Sequence, residues 1–464
     1  MKKTKFQKRA ALLAFFLLFS GHFICARDTE ASRRSTIRFG TETEIAALIQ
    51  TLRNEGSDDL DYDLIELVEN TRNQRILTGV FSFFGERERS GLEDRAIRAI
   101  EERDDEANET VFSAVDYLGW LRVTKAIPIL KELLEAQERR FMNSAFRSLG
   151  RAASADEQYA DEVAEFLVDF YTERDPGDEN RREIIVAIGA TGSSKGVPLL
   201  VEIASNSEER IPLRIAALEG LARIGDPDGL ETIIANVNSR DANLRVAAVG
   251  ALGPFSGENV DNAILEAFRD ANERIRIAAS RASRERRLVA AVPYLQFRAE
   301  RDDFPGVRDE AIRALGAIGT EEAIEALDAF FTERRNSDRI RILSAEMLMQ
   351  NNSAGYFSRL VVELDYAQSR NQMPLYNGFL RIVGETRLED YAGEAVSKLQ
   401  DTTRRFLQSR GVIERLHGLD MAANNNLRGL EEEIKTLAGD RNESIARRAQ
   451  RAAERLGIEL EIEI

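Results

Sequence analysis

The sequence of 464 residues carries 80 acidic and 64 basic side chains, which gives a formal net charge of −16 at pH 7. This excess of acid argues against a nucleic-acid-binding protein, because phosphate contact requires a concentrated basic surface, and it leaves room only for a local basic groove. One cysteine and two histidines are too few for a disulfide framework or for a zinc site built from these residues.

Residues 1–26 have the layout of a secretory signal peptide. Basic residues are concentrated at positions 2–9, an apolar run covers Ala10–Phe19, and small residues follow at Ala26 and Ala31. The apolar run is too short to span a bilayer. We expect cleavage after Ala26, with Ala31 as the second choice, and export to a bacterial periplasm.

Cys25 offers an alternative interpretation of the leader, in which it is the acylated first residue of a lipoprotein. The preceding His22, Phe23 and Ile24 fit such a signal badly, since a small residue is expected directly before the cysteine. Cleavage after Ala26 would remove this cysteine, and helix packing alone would then stabilise the mature chain. We find no second apolar segment long enough for a membrane span, so none is expected in the mature protein.

A sequence motif with helical spacing, which we call the phrase, recurs in the second half of the chain. It begins at Leu213, Leu244, Ile275, Val307 and Ile340, and its arginines are spaced by 31, 31, 32 and 33 residues. A near-fixed period of this length predicts a stacked array of helical repeats, in which each repeat buries its apolar face against its neighbours.

Each repeat is predicted to contain two helices. In the fourth phrase the apolar residues share one helical face, Gly319 ends the helix, and a polar turn leads to a shorter apolar helix; the apolar set is Val307, Ala311, Ile312, Leu315 and Ile318. About ten such pairs fit residues 70–457. We therefore predict an all-α protein, an α-solenoid, with an N-terminal capping segment at 27–69 and a C-terminal tail at 458–464.

The phrase LRIAALEGLARIGD at Leu213 and the helix after it resemble the HEAT repeat, and specifically the short HEAT-like repeats of phycobilin lyases. The resemblance implies an α-solenoid whose arginine-bearing first helices line an inner, concave wall. The third phrase departs from the family pattern, because Ser280–Arg287 reads SRASRERR where the family has an apolar end with Leu-Gly. This stretch is either a functional exposure or a degenerate copy.

Five arginines recur at the same place in the phrase, with carboxylates shortly before them at Asp241, Glu273, Asp303 and Asp338. The resemblance implies that such pairs form a buried ladder that joins one repeat to the next. A recurring pair serves the repeat and not a single site, so we interpret these arginines as structural. They are Arg214, Arg245, Arg276, Arg308 and Arg341.

The wall implied by the resemblance should expose the residues five and nine positions after each phrase arginine. Arginine and tryptophan are enriched among these residues and at binding hot spots. Trp120 is either an anchor for a partner or a plug between repeats. The candidate binding residues are Trp120, Arg147, Arg151, Glu219, Arg223, Arg281 and Arg313, with Asp116 and Glu285 beside them.

Catalysis has little support in the sequence. His22 lies in the leader and His417 in a repeat helix, so no His-based nucleophile arrangement, metal site or cofactor site is predicted. We predict a non-enzymatic scaffold or adaptor that binds other proteins along the array. The alternatives are a lyase-like enzyme or enzyme subunit, and a structural part of a cell-envelope assembly. The alternating Ile458–Ile464 tail either adds a strand to a partner or folds back on the last helix.

Overall fold

The computed structural model describes residues 30–174, 177–387 and 394–460. In these residues the chain forms 25 α-helices and no strand, which confirms the all-α prediction. The predicted signal peptide with Cys25, residues 27–29 of the capping segment, and residues 461–464 of the tail lie outside the described residues.

The chain divides into two bodies, each described by itself, and the first ends at Asp226. Its helices alternate between longer first helices and partners that pack beside them. They are α1 Glu30–Phe39, α2 Glu42–Glu55, α3 Asp61–Asn70, α4 Gln74–Glu86, α5 Glu93–Glu101, α6 Asn108–Trp120, α7 Ile127–Glu135, α8 Arg139–Ala153, α9 Glu157–Glu173, α10 Asp178–Thr191, α11 Val197–Ser205 and α12 Ile211–Ile224.

The second body begins at Pro227. Its helices are α13 Leu230–Val237, α14 Ala242–Ala251, α15 Glu258–Ala267, α16 Glu273–Arg286, α17 Val292–Arg301, α18 Pro305–Ile318, α19 Glu321–Thr332, α20 Asp338–Ser369, α21 Met373–Glu385, α22 Glu394–Leu407, α23 Val412–Asn424, α24 Glu431–Ala438 and α25 Glu443–Leu456. Short 3₁₀ turns connect several pairs, as at Val289–Ala291.

Local sequence signals set where the first helices begin and end. The side chain of Asp241 caps α14, and that of Asn272 caps α16, because each accepts a hydrogen bond from a free backbone N–H of the first turn. Gly225 and Gly319 follow α12 and α18 in the left-handed conformation, at φ 72° and 67°. Glycine adopts that conformation without a steric penalty, so the helices end there.

The apolar face predicted for α18 is the core of its repeat. Val307, Ala311, Ile312 and Leu315 are fully buried, and Ile318 is 8% exposed. In α4, three closely spaced phenylalanines cannot share one helical stripe, yet Phe81, Phe83 and Phe84 are all fully buried. The helix is therefore enclosed on several sides, and no phenylalanine of this group forms an exposed patch.

In four of the five phrases, the residue eleven positions after the arginine stands where the first helix ends. Gly225 and Gly319 stop their helices, whereas α16 stops at Arg287, which holds the same left-handed conformation at φ 49°. In α20 the position is Asn352, whose backbone is extended at φ −154°, and the chain continues at once into the second helix. Arg287 therefore ends its helix as the glycines do, whereas Asn352 joins the two helices of its repeat directly.

Candidate binding surface

Two phrase arginines of the second body, Arg245 and Arg276, form hydrogen-bonded pairs with aspartates of the following inter-repeat turn. Arg245 donates to Asp270 from Nε at 2.9 Å and from Nη2 at 3.3 Å. Arg276 donates to Asp302 from the same two atoms at 2.7 and 2.9 Å, and both side chains are buried. Two parallel bonds between guanidinium and carboxylate fix the geometry of each pair.

The pairs are continuous from repeat to repeat. The backbone carbonyl of Asp270 accepts a hydrogen bond from Arg276 at 2.8 Å, and that of Asp302 accepts one from Arg308 at 3.0 Å. Each aspartate therefore contacts the arginine of the preceding repeat through its carboxylate and the arginine of its own following helix through its carbonyl. We call Arg245, Asp270, Arg276, Asp302 and Arg308 the arginine ladder.

The two remaining phrase arginines also bond to backbone at a repeat boundary. Arg214 donates to the carbonyl of Ala204 at 3.0 Å in the first body. Arg341, 2% exposed, donates to the carbonyl of Phe331 at 3.0 Å and to Glu363 at 2.7 Å. These contacts place the predicted arginines inside the repeat framework.

Arg245 and Arg276 donate their carboxylate hydrogen bonds to Asp270 and Asp302, and not to Asp241 and Glu273, the acids predicted from their nearness in sequence. Asp241 uses its carboxylate to cap α14, accepting from the N–H groups of Asn243 and Leu244. Long helical side chains point back toward the helix N-terminus, so each guanidinium extends into the preceding turn, past the acids closest to it in sequence. There it meets a carboxylate from one repeat further along the chain.

The ladder holds its aspartates in the charged form. Burial by itself would raise the pKa of the Asp302 carboxyl, but the hydrogen bonds from Arg276 and from the Phe304 N–H outweigh it, and the pKa lies below its ordinary value. The pKa of Asp270 is lowered in the same way, with burial opposed by Arg245 and the Asn272 N–H. A buried charge with these partners is stable at neutral pH.

In the first body, the candidate Trp120 lies between two first helices. A Cβ atom built on Gly85 of α4 would stand 2.1 Å from Cε3 of the Trp120 ring, so the ring is packed directly against that glycine. The indole is only partly exposed. This position fits the interpretation of Trp120 as a plug between repeats.

Arg147 bridges three first helices of the first body. Its guanidinium lies 3.8 Å from Asp116 on α6 and 3.6 Å from Glu183 on α10. Burial raises the pKa of Asp116, and Arg147 partly offsets that effect. The other candidates of this body, Arg151, Glu219 and Arg223, are exposed.

In the second body, the candidates Arg281 and Arg313 converge on one buried acid. The Glu310 side chain is 8% exposed, and its carboxylate lies 3.8 Å from Arg281, 2.9 Å from Arg284 and 3.7 Å from Arg313. Three cations therefore share one anion. We call Arg281, Arg284, Arg313 and the neighbouring Arg287 the arginine cluster.

A cavity of about 600 Å³ opens beside this cluster. Its side-chain lining includes Arg284, Arg287, Arg313, Glu346, Gln350 and Asn351, with backbone from Gly316 to Gly319. Glu346 is already paired with Arg381 at 3.1 Å. The cations that line the cavity are therefore Arg284, Arg287 and Arg313, and its one lining carboxylate is already paired.

Arg284, Arg287 and Glu310 were not among the predicted binding residues. The SRASRERR departure was the signal for the two arginines, since the fourth phrase has glycines at the matching positions 316 and 319. The serines of this stretch are not exposed: Ser280 and Ser283 are fully buried. Small polar residues therefore keep the helix packed while the arginines between them reach the surface.

Within the described residues, no group of three or more His, Cys, Asp or Glu side chains is arranged to hold a metal ion. His417 packs its ring against Gly384, and burial lowers its pKa. None of the described helices combines the length and apolar character that crossing a bilayer requires.

Over residues 37–452 the sequence matches the family described as Spirochaete HEAT repeat protein. The chain belongs to this family. The resemblance to HEAT repeats is thereby confirmed, and with it the α-solenoid fold. A comparison with curated proteins finds no match.

Two solved structures illustrate what the chain is similar to in the comparison of structures. The crystal structure of Kap121p is 12% identical, with a TM-score of 0.44, and the match covers 91% of this chain and 53% of Kap121p. The chain thus spans about half the length of that protein. Human deoxyhypusine hydroxylase in complex with glycerol is 20% identical, with a TM-score of 0.26, over 56% of this chain and 98% of the hydroxylase.

Proposed function

We propose that this protein is an exported, non-enzymatic scaffold that binds other proteins through the exposed faces of its first helices. The arginine cluster is the observation that carries the proposal. Three guanidinium groups against one buried carboxylate leave positive charge at the surface of a chain whose net charge is −16. Arginine is also the charged residue most enriched at binding hot spots.

The contrast between buried ladder arginines and exposed arginines supports this proposal. The ladder arginines donate their hydrogen bonds to neighbouring repeats. Arg276, for example, is buried and only 7% exposed. Arg281, by contrast, has a side chain that is 64% exposed, although it lies on the same helix. HEAT-repeat solenoids are typical of protein-interaction scaffolds. The exposed arginines are therefore the ones available to a partner.

Export is proposed from the leader alone. The basic start, the apolar run and Ala26 support cleavage by a signal peptidase. Expression of the full chain in a bacterium with an outer membrane should yield a periplasmic protein that begins at Arg27. A protein recovered intact from the cytoplasm would contradict export, and a lipid-modified Cys25 at the N-terminus would favour the lipoprotein alternative.

The binding surface is tested by site-specific photo-crosslinking in cells. A photo-crosslinking amino acid at Arg151 or Arg281 places the probe on first helices, and one at Glu202 or Glu231 places it on exposed second helices as a matched control. We expect discrete protein adducts at the first-helix positions only. Adducts only at the second-helix positions, or none at either set, would contradict the proposed surface.

A further inference from the structure

We infer that the cavity beside the arginine cluster is a binding site for an acidic peptide segment of a partner protein. This inference rests on the proposed scaffold function and adds the chemistry of the partner. The class of ligand is a segment with two or more neighbouring carboxylates, bound by Arg284, Arg287 and Arg313.

The charge balance of the cavity favours an anion. Arg284, Arg287 and Arg313 line the cavity and Arg281 lies beside it. Together they contribute four positive charges, against the nearby carboxylate of Glu310 and that of Glu346, which Arg381 already pairs. The C-termini of α16 and α18 add about half a negative charge each. Roughly two positive charges remain when the Glu346–Arg381 pair is counted as neutral.

Several backbone carbonyls at the C-terminal ends of α16 and α18 accept hydrogen bonds from groups other than these arginines. The N–H of Leu288 bonds the carbonyl of Ser283 at 2.9 Å, and that of Gly319 bonds the carbonyl of Leu315 at 3.0 Å. The carbonyl of Gly316 accepts from the Asn351 side chain at 2.9 Å. These carbonyls are satisfied by other donors, and Arg284 and Arg313 share the single carboxylate of Glu310, which leaves the arginines in excess of the acids around them.

Arg287 is held in an unfavourable conformation beside the cavity. Its left-handed φ of 49° is the conformation that Gly225 and Gly319 adopt at the matching place in other repeats. For a residue with a Cβ atom this conformation is less stable than the right-handed one by roughly 1–2 kcal/mol. Other non-glycine residues at helix ends, among them Glu88, Arg122 and Asn371, hold the same conformation, so it belongs to the repeat turns of this array and the binding role of Arg287 rests on its charge and its place at the cavity.

The size of the cavity selects a peptide over a single small anion. Its volume of about 600 Å³ lies within the range of pockets that enclose whole ligands. The arginines come from two helices, α16 and α18, and each guanidinium can bind one carboxylate through two parallel bonds. A segment with adjacent carboxylates satisfies several of these groups together, whereas a single carboxylate binds only one of them through two parallel bonds.

The test uses the full-length mature chain and fluorescein-labelled hexaglutamate, followed by fluorescence anisotropy. We expect saturable binding that weakens as salt increases, because the interaction is electrostatic. The R284Q/R287Q variant should bind at least tenfold more weakly. The control variant R335Q/R447Q removes the same charge from exposed arginines paired with Glu333 and Glu443, and its affinity should stay within twofold of the parent.

Folding is controlled separately with R287G, which relieves the left-handed strain and should weaken binding at least threefold while the chain stays folded. Three outcomes overturn the inference: no binding of hexaglutamate, equal loss in both double variants, or displacement of hexaglutamate by inorganic phosphate at a comparable concentration. If these occur while crosslinking at Arg151 and Arg281 still yields protein adducts, the scaffold function stands and only the acidic-peptide site fails.

Discussion

The guanidinium of Arg276 and the carboxylate of Asp302 form two parallel hydrogen bonds, although they lie 26 residues apart in sequence. Replacement of Arg276 by alanine leaves a buried carboxylate with only the more distant Arg298, at 3.5 Å, and a backbone N–H. We expect the free energy of unfolding to fall by about 3 kcal/mol. Urea denaturation measures the change.

An exposed ion pair provides the matched control for R276A. Arg335 pairs with Glu333, and its side chain is 89% exposed. R335A should leave the free energy of unfolding essentially unchanged, since solvent-exposed pairs contribute little. Equal destabilisation by both variants would mean that the ladder is no more important than a surface pair.

The ladder also predicts a pH dependence. The pKa values of Asp270 and Asp302 are lowered in the folded chain, so their stabilisation is complete above the unfolded value of about 3.9 and is lost as pH falls through the folded pKa. In R276A, burial of Asp302 is no longer offset by its main partner, and protonation relieves the cost. The difference in unfolding free energy between parent and R276A should therefore shrink from pH 6.5 to pH 3. A constant difference would contradict this account.

The left-handed conformation of Arg287 predicts that R287G is more stable than the parent, although it binds hexaglutamate more weakly. R287G places glycine in the left-handed position, as in two other repeats, and should raise the free energy of unfolding by about 1 kcal/mol. Thermal and urea denaturation of parent and variant measure the gain. A destabilised R287G would show that Arg287 contributes more to packing than its conformation costs.

The contact between Gly85 and Trp120 predicts the effect of a small substitution. In G85A the new methyl group would overlap the indole, so we expect a loss of about 1–3 kcal/mol and a shift in the emission of the single tryptophan. G79A is the control on the same helix, because its Cβ would lie 3.6 Å from Ile49, an ordinary contact. Its tryptophan emission should be unchanged, and a shift in both variants would indicate a general disturbance of α4.

Much of the fold could be predicted because the repeat signals are local. The apolar spacing from Val307 to Ile318 and the glycine at 319 determine a helix and its end without reference to distant residues. The partner of Arg276 could not be predicted in this way. Its carboxylate belongs to the next repeat, and the approach of the two groups depends on how helices stack.

The candidate site was only partly predictable for a related reason. Offsets along a first helix identify Arg281 and Arg313 as exposed, but their shared acid, Glu310, lies on α18 and is buried. Arg284 and Arg287 stand at positions where another repeat has glycine, so a consensus-based search passes over them. Their convergence on one cavity is a property of two adjacent repeats.

The double role of Asp270 and Asp302 has a consequence for the ancestry of the array. Each joins the arginine before it to the arginine after it through the same two kinds of bond. If the segment between the two aspartates is duplicated or deleted, an arginine at the new junction again meets an aspartate carboxylate and an aspartate carbonyl. Such a gene can grow or contract by whole modules without leaving a stranded charge at the new junction.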